Sequence, residues 1–228
     1  YDAEHFFTGF LDDPSYALET LQAAITGGAD VLILCDTNGG MLPEQVTEIL
    51  SQAQPLLQKI SWGVHMHDDG DLALANTLAA INLGATYAQC TVNGESERVG
   101  MPKLTSLLPT LILKKNIECY GIDSIKGLRA LAEFVSEMNN NPLAPNQAYV
   151  GSWAFTHKAG THQAGARIDP SLQEHIDPNL VGAKRRLPIS GEAGKNAIIA
   201  TLAELGIQLK TDDPIWARIL SRVRAVSY

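Results

Sequence analysis

The sequence contains little of what secreted, membrane or nucleic-acid-binding proteins require. Its three cysteines (Cys35, Cys90 and Cys119) in 228 residues make no disulfide framework and favour a reducing compartment. No apolar run approaches the roughly 20 residues of a membrane span, and the N-terminus is neither a signal peptide nor a transit peptide. The formal net charge of −8 disfavours nucleic acid as a partner. We therefore expect a cytoplasmic protein that binds neither membranes nor nucleic acid.

Strand and helix signals alternate from residue 14 to about residue 115. The predicted helices are at residues 14–26, 43–58, 71–83 and 103–115, and the predicted strands are at residues 29–35, 60–67 and 87–92. Such alternation is typical of a parallel α/β sheet, in a (β/α)8 barrel or a doubly wound fold. No Gly-x-Gly-x-x-Gly follows a strand, which weakens the dinucleotide-binding version. Only about three and a half units are present, whereas a closed barrel needs eight.

A different pattern begins near residue 120. Three helices are predicted, at residues 124–139, 152–167 and 191–205, with turn formers between them. We therefore divide the chain into an α/β part, residues 1–118, and a mainly helical part, residues 119–228.

Two histidines, His65 and His67, end the second predicted strand. Residues i and i+2 of a strand point to the same face, so the two imidazoles lie side by side at the edge where α/β proteins keep their active sites. Such a pair is half of a divalent-metal site, with Asp68 and Asp69 available to orient the rings. The alternative is a pair of histidines that is satisfied by hydrogen bonds in the core.

Two other loops follow predicted strands. Residues 36–40 suit a carboxylate or carbonyl ligand, or they form a simple turn in which Asp36 caps the next helix. The loop at residues 93–100 has two interpretations: Arg98 binds an anionic substrate, or the whole loop is a solvated surface loop.

Further candidates lie in the helical part. His157 and His162 are suited to proton transfer, although a structural role is the alternative. The basic cluster at residues 184–186 also has two interpretations: it attracts a phosphate-bearing cofactor, or it is an ordinary solvated surface.

Eight short motifs follow one another along nearly the whole chain: Asp2-Ala3-Glu4-His5-Phe6-Phe7, Leu34-Cys35-Asp36-Thr37-Asn38-Gly39-Gly40, His65-x-His67, Thr91-Val92-Asn93-Gly94-x-x-Glu97-Arg98-x-Gly100, Phe134-Val135-Ser136-Glu137, Tyr149-Val150-Gly151, His157-Lys158-x-Gly160-x-His162 and His175-Ile176-Asp177-Pro178-x-Leu180-Val181-Gly182. In this order they resemble the (R)-citramalate synthases. That family belongs to the superfamily of isopropylmalate synthases, homocitrate synthases and hydroxymethylglutaryl-CoA (HMG-CoA) lyase.

The resemblance implies an α/β fold, the second half of a (β/α)8 TIM barrel followed by helical linker subdomains. In that frame the chain starts at the end of the fifth barrel strand, and the first four βα units and a C-terminal regulatory domain lie outside it. The metal-binding Asp of the family lies on the first of those missing strands. The full-length protein is expected to be a homodimer.

The resemblance also implies an acyltransferase that joins acetyl-CoA to pyruvate, giving citramalate for isoleucine and branched-chain amino-acid biosynthesis. A divalent metal, Mg²⁺ or Mn²⁺ with Zn²⁺ as the alternative, holds the 2-oxo acid and polarises its carbonyl group. A base takes a proton from the acetyl-CoA methyl group, the enolate attacks the keto carbon, and thioester hydrolysis frees CoA. The alternatives are a 2-isopropylmalate-type synthase for a bulkier oxo acid and a degenerate fragment that keeps only the fold.

The resemblance assigns roles to residues that match the motifs. The implied metal ligands are His65 and His67, the implied substrate-binding residues are Thr37 and Asn93, and the implied catalytic residues are Glu4, Arg98 and His162. His162 would reach into a barrel, that of the partner subunit. Three positions depart from the family pattern, because Asp68 and Met101 replace asparagines and Gln173 replaces a tyrosine. Met101 and Gln173 favour the degenerate alternative.

Overall fold

The computed structural model describes residues 1–119, 124–189, 195–204, 206–210 and 213–226. These residues belong to two compact units. The first comprises Tyr1–Tyr120 and Phe134–Asn140, and the second comprises Gly121–Glu133 and Asn141–Tyr228. The domain boundary at residue 118 stays a prediction.

A parallel four-stranded sheet forms the centre of the first unit. Its strands are β1 (Asp2–Ala3), β2 (Val31–Asp36), β3 (Ser61–Met66) and β4 (Tyr87–Ala88), and they pair in the order of the sequence. The predicted parallel α/β class is confirmed. The third predicted strand, residues 87–92, was too long, because ladder pairing with β3 stops after Ala88 and Thr91 only makes an isolated bridge to Lys103.

Helices cover one face of this sheet. They are α1 (Phe6–Asp12), α2 (Pro14–Thr26), α3 (Pro43–Leu57), α4 (Ala73–Asn82) and α5 (Leu104–Pro109), which continues as a π-helical turn, Thr110–Lys114. The core between helices and sheet is built from large apolar side chains, among them Phe7, Leu21, Leu34, Leu50 and Val64, all of which are fully buried. Burying a side chain of this kind contributes about 1.5–3 kcal/mol, so the helices hold the sheet firmly from this side.

The strand register determines which side chains face away from the helices. Leu34 pairs with Val64, and the next pair along is Cys35 with His65. Because successive strand residues point to opposite faces, and Leu34 and Val64 pack in the core, Cys35 and His65 lie on the face that the helices leave uncovered. The same face carries the site described below.

The remaining helices are α6 (Leu128–Met138), α7 (Gly160–Ile168), α8 (Lys195–Glu204) and α9 (Ile215–Val226), with 3₁₀ turns at Pro170–Leu172 and Pro178–Val181. The sequence did not predict α1 or α9. The predicted helix at residues 152–167 was wrong in its first half. Tyr149 has a left-handed φ of 66°, and the chain then folds back so that the Trp153 N–H donates to the Pro145 carbonyl. Within the predicted helix 191–205, residues 191–194 and 205 lie outside the described residues.

None of the helices that the structure describes combines the length and the apolar character that crossing a membrane requires.

Candidate metal-binding and active site

His65 and His67 lie side by side at the carboxyl end of β3. Their Nε2 atoms are 3.2 Å apart, and the ring centroids are 4.9 Å apart with planes inclined at 48°. His67 is buried and His65 is half-buried. The two rings therefore share one side of the strand, as the spacing of two residues predicts.

The other ring nitrogen of each histidine faces an oxygen atom. His65 Nδ1 is 2.5 Å from Oε1 of Gln89, and His67 Nδ1 is 3.2 Å from the carbonyl oxygen of Gly100. An amide or peptide oxygen only accepts hydrogen bonds, so Nδ1 is the donor in each contact, and the tautomer with its proton on Nδ1 fits both rings. Each Nε2 then carries a lone pair, and these two lone pairs converge.

Asp68 and Asp69 do not orient the imidazoles, and this expectation from the sequence was wrong. The Asp68 carboxylate accepts from the backbone N–H of Ala73 at the start of α4, at 2.9 Å. The Asp69 carboxylate pairs with Arg98. Both carboxylates are occupied by other partners, and the oxygens that face the two rings come from the side chain of Gln89 and the carbonyl of Gly100.

The histidine pair fits two neighbouring ligands of one metal ion. Two nitrogens that are each about 2.1 Å from an ion stand about 3.0 Å apart at a right angle and about 3.4 Å apart at the tetrahedral angle. The separation of 3.2 Å between the two Nε2 atoms lies between these values. Within the described ranges, no group of three or more His, Cys, Asp and Glu side chains could hold an ion, so the pair could supply two ligands and no third from these residues.

Cys35 lies beside His65 in the strand register, but its thiol is poorly suited to join the pair. Burial, with smaller contributions from the carboxylates of Glu4 and Asp2, raises the pKa of Cys35 to about 12. The thiolate is the form that binds metals, and it is scarce at neutral pH when the pKa is so high.

Thr37 and Glu4, both predicted site residues, contact each other. The Thr37 hydroxyl donates to Oε2 of Glu4 at 2.8 Å and accepts from the backbone N–H of His5 at 2.8 Å. A hydroxyl has one proton to donate, so Glu4 occupies the donor capacity of Thr37 in this structure.

Arg98 connects three loops at the carboxyl end of the sheet. Its guanidinium group makes a two-pronged contact with Asp69, with distances of 2.7 and 3.0 Å, and it also donates to the Thr37 carbonyl at 2.7 Å. The hydrogen bond from Arg98 holds the pKa of Asp69 below its usual range. Arg98 thus links the loop after β4 to the loops after β2 and β3.

Asp36 supports the interpretation of its loop as a structural turn. Its buried carboxylate accepts from the backbone N–H groups of Gly40 and Met41, at 3.3 and 3.0 Å. Burial raises its pKa, although these hydrogen bonds act in the opposite direction. The N-cap of α3 is Leu42, so Asp36 holds the loop rather than the helix end.

Asn93 and His162 are the other two predicted site residues. Asn93 is half-buried in the loop after β4, close in sequence to Met101, which is buried. His162 lies in the first turn of α7, in the second unit, and is exposed. The histidine pair, Glu4, Thr37, Asn93 and Arg98 are therefore the predicted residues at the carboxyl end of the sheet.

A separate charged cluster lies within the second unit. The carboxylate of Glu174, 2% exposed, is held by Arg185 at 2.6 and 2.7 Å and by Nε2 of His157 at 3.0 Å. Burial alone raises the pKa of Glu174, but the hydrogen bonds from Arg185 and His157 outweigh it and lower the pKa. This favours the structural interpretation of His157. It also gives Arg185 of the basic cluster a partner that the sequence did not reveal.

Comparison with known families covers most of the chain. Residues 8–135 match the HMGL-like family, and residues 149–227 match the family described as homocitrate synthase post-HMGL domain-like.

Individual relatives match over nearly the whole chain. An (R)-citramalate synthase from Aquifex aeolicus is 40% identical over 224 residues, which are 98% of this chain and 42% of that protein. An (R)-citramalate synthase from Geobacter sulfurreducens is 41% identical over 226 residues, which are 98% of this chain and 42% of that protein. A 2-isopropylmalate synthase from Methanocaldococcus jannaschii is 33% identical over 216 residues, which are 92% of this chain and 40% of that protein. The chain thus spans about two fifths of the length of these relatives.

Among solved structures, an HMG-CoA lyase from Acinetobacter baumannii aligns with 55% of this chain and 42% of its own, at a TM-score of 0.48 and 23% identity.

Proposed function

Because this chain belongs to the HMGL-like family, whose members have a TIM-barrel fold, we propose that it is part of an acyltransferase that condenses acetyl-CoA with pyruvate to give citramalate. The 40–41% identity to two (R)-citramalate synthases supports this substrate pair. The observation that carries the proposal is the convergence of the His65 and His67 Nε2 lone pairs, 3.2 Å apart, at the carboxyl end of a parallel sheet.

In this proposal, His65 and His67 hold a divalent cation, with further ligands from the rest of the full-length protein. The bound ion would polarise the carbonyl group of the 2-oxo acid as a Lewis acid. Imidazole nitrogens suit Mn²⁺ or Zn²⁺ better than Mg²⁺, which prefers oxygen ligands. We therefore use Mn²⁺ in the experiments below.

Thr37 is proposed to bind the carboxylate of the oxo acid, with Asn93 as a second polar group. The hydroxyl proton of Thr37 points to Glu4 in this structure, so a bound carboxylate and Glu4 compete for it. When Thr37 turns to the substrate, Glu4 loses this hydrogen bond and becomes available to accept a proton. Arg98 holds the backbone of Thr37 in place, and His162 assists proton transfer.

Two alternatives have a specific observation each. The 2-isopropylmalate synthase relative favours a synthase for a bulkier oxo acid. The buried Met101, at a position where the resembling family has asparagine, favours a chain that has lost catalysis. A cytoplasmic location and a homodimer stay predictions.

The release of free CoA tests the reaction. The chain is incubated with acetyl-CoA, Mn²⁺ and either pyruvate or a branched 2-oxo acid, and the released thiol is titrated. Release with pyruvate alone supports the proposal, and release with the branched acid alone supports the first alternative. If neither oxo acid causes thiol release, the assay is repeated after supplying the first half of the barrel from the Aquifex aeolicus relative. Absence of thiol release in that second assay contradicts the proposal.

Calorimetry tests the metal site apart from turnover. We expect His65→Ala to abolish Mn²⁺ binding, because it removes one of two converging nitrogens. His162→Ala is the matched control, since it removes an imidazole from the second unit. It should leave Mn²⁺ binding unchanged and lower thiol release. Undiminished Mn²⁺ binding by His65→Ala would remove these histidines from the site.

A further inference from the structure

Gln89 makes a second contact besides the one to His65. Its Nε2 donates to Oδ1 of Asp2 at 3.3 Å, while its Oε1 lies 2.5 Å from Nδ1 of His65. One amide thus joins a carboxylate in β1 to an imidazole in β3, from a position directly after β4.

The contact with Asp2 determines which way the amide faces. A carboxylate only accepts hydrogen bonds, so the NH₂ group of Gln89 must face Asp2 and the amide oxygen must face the ring. The reverse orientation would turn the amide oxygen toward a negative charge and an N–H group toward His65.

The orientation of the amide in turn determines the tautomer of His65. With Oε1 of Gln89 beside it, Nδ1 carries the proton and Nε2 keeps its lone pair. In the other tautomer, Nε2 of His65 would carry the proton and donate it to Nε2 of His67, 3.2 Å away, and could not bind a cation.

The contact crosses the uncovered face of the sheet. β1 and β4 are the two outer strands, and in a flat sheet of four strands they would stand about 14 Å apart. The side chains of Asp2 and Gln89 meet because the sheet curves toward this face. The same curvature brings the amide over His65.

We propose that Asp2 and Gln89 form a hydrogen-bond relay that fixes the tautomer of His65, and that both are positioning residues for metal binding. This inference rests on the proposed function, because it concerns the metal site that the proposal assigns to His65 and His67. The relay acts on the ring before any ion is present, so it has a consequence that is visible without metal.

The first experiment reads the tautomer directly. In the metal-free chain, ¹⁵N–¹H correlation spectra of the histidine rings distinguish a protonated Nδ1 from a protonated Nε2. We expect His65 to be protonated at Nδ1 in the unmodified chain and to populate both tautomers in Gln89→Leu and in Asp2→Asn, because an asparagine no longer constrains the amide. Gln52→Leu, which changes an exposed glutamine of α3, is the control and should leave the spectrum unchanged.

The second experiment measures Mn²⁺ binding by calorimetry. Loss of a group that orients a ligand typically weakens metal binding about 10- to 100-fold, and we expect a loss of this size for Gln89→Leu, a smaller loss for Asp2→Asn and none for Gln52→Leu. Asp2→Asn changes only one exposed group, so it tests the relay even if Gln89→Leu does not fold.

The outcomes separate the relay from the metal site. If His65→Ala abolishes Mn²⁺ binding but neither relay variant alters the tautomer or the affinity, the relay is wrong and the metal site stands. If the tautomer shifts as expected but His65→Ala binds Mn²⁺ normally, the histidines do not form the metal site and the role of the relay in metal binding falls with it.

Discussion

At the scale of single residues, Arg98 and Thr37 link the loops at the carboxyl end of the sheet. Arg98 contacts the loops after β3 and β2, through Asp69 and the Thr37 carbonyl. Its backbone has a left-handed φ of 54°, a conformation that persists only when surrounding contacts hold it. We therefore assign Arg98 a positioning role, in which it keeps Thr37 in place.

Asp69→Asn tests this role. The change removes the negative charge that Arg98 contacts, so we expect amide hydrogen exchange in the loops at residues 36–41 and 93–101 to become about two- to fivefold faster. Asp30→Asn, at an exposed position at the end of the α2–β2 connection, is the matched control and should leave exchange in these loops unchanged. The pair is partly exposed, so added salt should speed exchange in the unmodified chain more than in Asp69→Asn. Equal exchange rates in the unmodified chain and in Asp69→Asn would show that the ion pair does not hold the loops.

The sequence reveals only part of such a site. His65 and His67 could be predicted because their spacing and their position at a strand end both lie in one segment. The contact between His65 and Gln89 joins residues 24 positions apart, and that between Thr37 and Glu4 joins residues 33 positions apart. These contacts depend on strand register and curvature, which no local pattern encodes, so the relay could not be predicted.

At the scale of helices and strands, predictions succeeded where a residue marks an end. The helix α2 begins at Pro14 and ends before Gly27, and α3 begins at Pro43. The helix predicted at residues 103–115 is interrupted at Pro109, which lacks an N–H group, and continues as a π-helical turn. Hydrophobic spacing alone did not predict this change.

Gly63 is an element-scale test of the sheet. A Cβ atom added there would lie 2.3 Å from the backbone oxygen of Tyr87, so β3 and β4 pair as closely as they do only because residue 63 has no side chain. We expect Gly63→Ala to lower the free energy of unfolding by about 1–3 kcal/mol, measured by urea denaturation.

Gly9→Ala is the matched control for this substitution. An added Cβ at Gly9, inside α1, meets nothing within 4 Å, and alanine is the better helix former. We expect this change to raise the free energy of unfolding by about 0.5–1 kcal/mol. If both variants changed stability in the same direction, the close approach of β3 and β4 would not explain the glycine at residue 63.

At the scale of the whole molecule, a buried ion-pair cluster distinguishes the second unit from the first. The first is organised by the apolar core between sheet and helices. The second buries the carboxylate of Glu174 between Arg185 and His157. Because Glu174 has a lowered pKa in the folded chain, its ionised form stabilises the second unit above the ordinary carboxylate pKa of about 4.3, and this contribution is lost as the pH falls through the lowered value.

Glu174→Gln tests this dependence. The variant leaves Arg185 without its charged partner, and we expect a loss of about 1–3 kcal/mol in the free energy of unfolding at pH 7, read from amide hydrogen exchange of residues 157–186. Glutamine resembles the protonated acid, so the difference from the unmodified chain should be constant above about pH 5 and shrink as the pH falls below about 4.

Glu133→Gln provides the comparison within the same unit. Glu133 contacts Arg129 at 2.9 Å, but its side chain is 48% exposed, and surface pairs of this kind contribute about 0–1 kcal/mol. The free energy of unfolding of Glu133→Gln should therefore differ little from that of the unmodified chain at any pH. A Glu174→Gln variant that behaved like Glu133→Gln, or whose deficit did not shrink as the pH fell below the ordinary carboxylate pKa, would mean that the buried carboxylate does not govern the acid sensitivity of the second unit.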